Sequence, residues 1–318
     1  MHLYKYVKQQ NNSINYYYLV ALLLSLFFTF SIFYDIFQIH IYRHDAFYYI
    51  SGHKYLFYHV AQEGRWLNYI FFPLVKNVSG IIWSIFILMS FAYFIFYSAY
   101  KWTQNIYYSS LLSLLFLQIP SFYTLIQWPA TAAPTFVVLL LAVYLVDRLT
   151  IFKFYILFGV LFFATMSNYY YLLPLLHLGL LTKSTTKDNI KLIIFKIIPA
   201  WAIGFIIGYM VTQLMLYLVF GHLMEIGSWR NPHYIHSFHD LINNIHLSFN
   251  ALSLHIKSIF ANNWIIITGI TGFLISIWGR KKDLFFLPLL IFCAIIIVHY
   301  IVFMPIGIQI ELRTIVAT

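Results

Sequence analysis

Ionisable side chains are scarce in this chain, and the places where they gather are the places where chemistry is feasible. The segment 43–69, RHDAFYYISGHKYLFYHVAQEGRWLNY, carries Asp45 and Glu63 beside His44, Arg65 and Trp66. It lies between two apolar runs long enough to cross a bilayer. A carboxylate such as Asp45, held just outside the bilayer in a cleft of low dielectric, can orient an acceptor hydroxyl and take its proton. Partial burial raises its pKa and improves it as a base. Asp45 also precedes AFYYI, where it could instead cap a juxtamembrane helix through backbone N–H groups. In Glu63-Gly64-Arg65-Trp66 the glycine can end one helix and begin another, presenting both charges at a turn. An arginine there can grip phosphate or carboxylate bidentately. The plainer reading pairs Glu63 with Arg65 at a wet interface, where such a bridge is worth little, and leaves Trp66 as an interfacial anchor.

Two further arginines, Arg230 in GSWRNPH and Arg313 in ELRT, are suited to neutralising the phosphate of a lipid-linked donor. Ordinary anionic headgroups would suit them equally. The uncharged stretch QWPATAAP, 127–134, is expected to be a loop capping a helical hairpin, with Gln127 and Trp128 as candidates to line a sugar site.

The elements that must position these residues are membrane spans. At 62% hydrophobic and 9% charged, with mean hydropathy +0.80, the 318-residue chain is excluded from the soluble globular class, where about 25% of residues are charged. It reads as an all-α polytopic membrane protein forming one transmembrane domain over 1–318. Apolar runs predict about nine spans, near 17–34, 80–98, 107–125, 134–147, 154–167, 170–182, 192–219, 263–279 and 284–304. No cleavable signal peptide precedes the first run. The net charge of +10 reports topology rather than affinity for nucleic acid. With the N-terminus in the cytoplasm, 12 of the 19 Lys and Arg fall in short cytoplasmic connections such as KSTTKDNIK and GRKKD. Six of the nine acids then fall outside: Asp35, Asp45, Glu63, Glu225, Asp240 and Glu311. The two sizeable loops, 35–79 and 220–262, lie on that same face, which in the inner membrane of a bacterium is periplasmic. Nine spans leave the C-terminus outside, just after Glu311 and Arg313, so either the protein ends there or the chain is truncated before further spans.

The second loop holds a stripe at Ile235, Phe238, Ile242, Ile245, Phe249, Leu252, Ile256 and Ile259, in steps of three and four. Its polar back carries His236, His239, Asp240, Asn243, Asn244, His246, Asn250 and Lys257. The pattern predicts a juxtamembrane amphipathic helix of three to four turns lying in the interface. A coiled-coil seam has the same spacing.

Histidines recur in both loops, and His236, His239 and Asp240 share a helix face at ligand spacing. There is no HExxH and no His–Cys pattern, so a divalent metal is possible but not favoured. Cys293, the single cysteine, lies in an apolar run, which excludes a disulfide framework. A Walker loop and a GxGxxG motif are absent, which leaves nothing for a nucleotide cofactor.

Asp45 shortly after the first span, the aromatic segment behind it, Gly64-Arg65-Trp66 leading into the second span, and Arg313 after a late one together resemble the GT-C class of membrane glycosyltransferases. More narrowly, the first loop is similar to that of the phage-type O-antigen glucosyltransferases. The specific likeness covers about 30 residues plus the topology. It implies transfer of a sugar, glucose in the typical case, from a polyprenyl-phosphate carrier to a lipid-linked or polymeric glycan on the periplasmic side. Asp45 would be the base or acceptor-orienting acid, Arg65 a structural or phosphate contact, and Arg313 a phosphate contact. The family often shows adjacent acids at this point, whereas His44 precedes Asp45 here, and a metal-independent mechanism is the expectation. The rival readings are a transporter or flippase of lipid-linked sugars, an O-antigen polymerase or ligase, and a noncatalytic assembly subunit. A transporter would place ionisable groups near mid-membrane on broken helices, and the spans carry almost none.

Overall fold

The structure, a computed structural model, describes residues 57, 60–117, 128–182, 186–224, 231–260 and 304–308. Spans expected at 17–34, 263–279 and 284–304 lie outside the described residues, as do Asp45, His44, Arg230, Arg313 and Gln127. Among the described residues all regular structure is helical. The helices are α1 (Trp66–Lys76), α2 (Gly80–Thr103), α3 (Ile106–Leu117), α4 (Pro129–Leu145) and α5 (Ile151–Phe163). A 3-10 helix (Ser167–Thr182) follows, then α6 (Thr186–Leu192), a π-helical turn (Ile193–Ile197), α7 (Ile198–Phe220) and α8 (Phe238–Phe260). A last 3-10 turn, Met304–Ile306, packs against α8. Two helices are long and apolar enough to cross a bilayer, α2 and the continuous run Asp188–Phe220.

The traversing elements alternate in direction. The starts of α2 and α4 meet at one end, where Trp83, Ala130 and Ala133 pack together with Phe72 and Val75 of α1. Their far ends meet through Asp147, which accepts a hydrogen bond from Tyr97 at 2.6 Å and pairs with Lys101. Between them α3 returns, with Ser113 Oγ donating to Ala92 O at 2.8 Å. Helix α5 brings Ala164 back to the first end, where its carbonyl accepts from Leu67 N–H at 3.1 Å. The 3-10 helix then runs to the second end, where Gly179 lies against Lys101. Finally α7 climbs beside α5, so the bundle has one end holding Glu63, Arg65 and Trp66 and an opposite end holding Lys101, Asp147 and Arg148.

The core is aromatic. Phe91, Phe94, Phe136, Phe154, Phe158 and Phe162 are fully buried, with edge-to-face pairs such as Phe91–Phe136 at 6.0 Å and Phe136–Tyr169 at 5.3 Å. Such pairs add about 0.5–1.5 kcal/mol each beyond area burial. At its centre is the 3-10 helix, buried all round from Tyr169 to Leu173 and again at Leu176, His177 and Leu178. A helix apolar on every side belongs inside a bundle. Runs of this conformation beyond four residues are uncommon, and its rise of about 2.0 Å per residue carries 16 residues roughly 32 Å. The expected span 170–182 would cover only about 20 Å as an α-helix.

Helices α5 and α7 touch backbone to backbone. A Cβ on Gly159 would stand 2.0 Å from Gly204 O, and one on Gly208 would stand 2.5 Å from Gly159 O. Gly204 and Gly208 form the small-xxx-small spacing that lets apolar helices approach closely. Tyr170 closes the seam, its hydroxyl 2.8 Å from Trp201 O and 3.2 Å from Tyr155 O. The other side of α7 is unlike a water-facing surface: Ile206, Met210, Leu214 and Leu218 are all more than half exposed. Only 28% of the Asp188–Phe220 apolar window is buried.

Candidate functional site at the Glu63–Arg65 turn

Residues 60–63 are helical and end at Gly64, whose N–H donates to Val60 O at 3.0 Å. Gly64 has φ +69°, the left-handed conformation in which a side chain is strained. A second constraint acts there: a Cβ would come within 2.3 Å of Thr212 Cγ2 on α7. Thr212 is itself buried, so the turn is clamped against the end of the long helix. On the other side Leu67 N–H reaches Ala164 O, and Asn68 Nδ2 donates to Thr131 O at 3.2 Å. The turn is therefore fixed by α4, α5 and α7 together.

Glu63 and Arg65 flank this glycine and pair, Arg65 Nε to Glu63 Oε2 at 2.7 Å. Both side chains are only 20% exposed, so the wet interfacial pair of the plainer sequence reading is replaced by a largely buried one. Burial raises the cost of breaking such a pair. The pair engages Nε alone. The two terminal guanidinium nitrogens of Arg65 have no partner among the described residues, which leaves the bidentate edge of the fork available to an oxyanion. Trp66, half-buried, opens α1.

After the turn a new helix begins, as expected of a glycine break: α1, 11 residues and about 16 Å, too short to cross a bilayer. Its inner face buries Asn68, Phe72 and Val75, while Ile70 and Leu74 face outward. One expectation for this region is corrected: QWPATAAP is not a loop as far as 134. Helix α4 begins at Pro129, a residue pre-organised for the first helical position because its missing N–H has no intrahelical partner to lose. Residues 129–134 are buried in that helix, and Trp128 sits at its N-terminal boundary.

The expected amphipathic helix is longer than three to four turns, 23 residues in α8. Its start carries a reciprocal cap. Ser237 Oγ accepts from Asp240 N–H at 3.2 Å, while Asp240 Oδ2 accepts from Ser237 Oγ–H at 2.8 Å and from His236 N–H at 3.1 Å. The hydrogen bond from Ser237, and after it that from the His236 amide, holds the Asp240 carboxyl below the ordinary aspartate value. Asp240 thus serves the helix start, and among the described residues no group of three His, Cys, Asp or Glu comes together. Sequence reasoning passed over this cap although Ser-x-x-Asp signals it. Ser237→Ala is expected to cost about 1 kcal/mol of helix-start stability, read as a roughly fivefold faster hydrogen exchange of the amides at 238–241. Unchanged exchange would show that the cap is idle. A depressed pKa stabilises above the ordinary aspartate range and loses its contribution as pH falls through the lowered value, so the same amides are expected to lose protection only in strong acid.

His177 was also passed over, an ionisable residue inside an expected span. It is buried, with Nδ1 3.1 Å from Tyr155 Oη and its ring packed on Tyr155 and Phe154. A hydrogen-bonded and closely packed imidazole is a satisfied core group. No known protein family, curated protein or solved structure matches the chain.

Proposed function

We propose that the chain is a multi-pass inner-membrane glycosyltransferase with a GT-C-like arrangement of about nine spans. It takes a sugar, in the simplest case glucose, from a polyprenyl-phosphate carrier and passes it to a lipid-linked or polymeric glycan on the periplasmic side. The observation that carries the reading is the Glu63–Gly64–Arg65 turn. An arginine with its terminal nitrogens uncommitted is held by three packed helices at one end of a bundle whose outer surface is apolar. A lipid-phosphate donor stays in the bilayer with its phosphate at headgroup depth, so it needs a cation at that level. The acceptor hydroxyl arrives from water and needs a base just outside, the part assigned to Asp45. Arg230 and Arg313 are the further candidates for phosphate contact, and His44 and Trp66 for the sugar. Glu63 sets the angle of the Arg65 fork.

The test is a mass profile of cell-surface glycans from cells expressing the chain, followed by transfer from a synthetic polyprenyl-phosphate-glucose in proteoliposomes. A hexose-sized gain in cells and hexose transfer in vitro are expected; absence of both would sink the proposal. Arg65→Ala is expected to raise the donor KM about 10- to 100-fold, the loss of one charge-assisted contact of about 1.5–3 kcal/mol. Arg65→Lys should recover part of it. If the residue were only structural, both variants would lower Tm and leave the donor KM where it was.

A further inference from the structure

Helix α8 has three faces, as its rotation of about 100° per residue requires. Phe238, Ile242, Phe249 and Ile256 form an exposed apolar stripe. Asn244, Ser248 and Ala251 form a buried one, and Asn244 meets the 304–308 segment at Gly307. The third face opens into a groove of about 350 Å³ lined mostly by polar residues, at the small end of the roughly 300–1,000 Å³ usual for ligand sites. Asn243, Leu247, Asn250, His246 and His233 are among the residues that line it.

The groove is held by a side-chain-to-backbone contact and a glycine. Asn244, 1% exposed, donates Nδ2 to His233 O at 2.7 Å and so draws the chain before α8 across the helix. Gly307, at φ +62°, locks this junction: a Cβ there would stand 2.4 Å from Asn244 Oδ1 and 2.5 Å from His233 O.

We infer that this groove binds a neutral, polyhydroxylated ligand, a saccharide. The side chains of Asn243, Asn250, His233 and His246 make no hydrogen bond among the described residues. Each amide offers a donor pair and an acceptor on one plane, and each imidazole two ring nitrogens for hydrogen bonding, a set that matches vicinal hydroxyls. Leu247 supplies an apolar patch for the C–H face of a ring. Among the described residues the one acid in the lining, Asp240, is engaged in the helix cap. None of the described lining residues is Lys or Arg, so none of them offers a phosphate a fixed positive charge. The exposed apolar stripe lies about a quarter to a third of a turn away, so a helix bedded in the interface by that stripe leaves the groove open to water. The inference rests on the transferase reading only in naming the saccharide as the acceptor.

The experiment is calorimetric titration of the full chain in lipid nanodiscs with neutral trisaccharides of glucose, rhamnose and N-acetylglucosamine, and separately with inorganic phosphate. Binding of at least one trisaccharide is expected, with Kd raised tenfold or more in Asn243→Ala and Asn250→Ala. Both are exposed positions whose loss leaves the cap and the Asn244 junction intact. Phosphate is expected to give no heat displaced by these variants. No binding of any trisaccharide, or binding indifferent to both variants, overturns the inference. The titration needs no donor. Intact trisaccharide binding without any hexose transfer would sink the transferase reading alone, whereas transfer with no role for Asn243 and Asn250 would sink the groove alone.

Discussion

Gly204→Leu is expected to prevent α5 and α7 from reaching their native contact, and with it the assembly of the turn that holds Arg65. A Cβ at 204 would lie 2.3 Å from both Tyr155 O and Tyr170 Oη. The first is helix backbone, and the second already lies within hydrogen-bond reach of two carbonyls, so neither can yield without moving an element. Overpacking of a core usually costs about 1–3 kcal/mol and occasionally more. A leucine driven into a backbone contact belongs at or above the top of that range. Gly204→Ala should show a smaller loss in the same direction, because one methyl asks for a smaller displacement. Met210→Leu, on the outward face where residue 210 is 62% exposed, should be neutral. The measurement is the thermal midpoint of purified protein in one detergent, with tryptophan fluorescence as the reporter. A Leu variant melting with the wild type would refute the packing account.

Why this seam escaped the sequence reading is itself physical. Counting apolar residues finds a span at 192–219, but it treats glycine as merely neutral and cannot see that Gly204 and Gly208 form the contact surface. The spacing was legible, and only a rule about backbone approach gives it weight. The 3-10 helix was illegible for the opposite reason. Tyr169 to Leu173 is apolar on all sides, so no periodicity distinguishes one helical pitch from another. The alternation of elements through the bundle was legible, since apolar runs separated by short polar connections must reverse direction. The Asp240 cap was passed over because a carboxylate beside histidines draws attention to ligand spacing, whereas its position three residues after Ser237 signals a cap. The Gly64 turn was read correctly as a helix break, yet the sequence could not say that α7 would press on it. That contact leaves no room for a side chain at 64.

Asp45→Asn is expected to lower the rate of sugar transfer by about 10²–10⁴-fold, the usual worth of a positioned general base, while the protein folds and binds donor as before. Asp45 lies outside the described residues, so the case rests on chemistry and on Arg65. On the proposed transferase reading, a donor phosphate held by a cation at headgroup depth would place the anomeric carbon above it, and an incoming hydroxyl would have to lose its proton as the new bond forms. Asparagine keeps the size and the acceptor oxygen but cannot take that proton. A merely capping Asp45 predicts something different, because asparagine is about as good at an N-cap and activity would be retained. The substitution therefore separates the two readings of one residue. The rate is to be followed in proteoliposomes at saturating donor, beside Asp45→Glu, whose longer carboxylate should restore part of it. Full activity in the asparagine variant would remove Asp45 from catalysis and move the search for the base to Glu63.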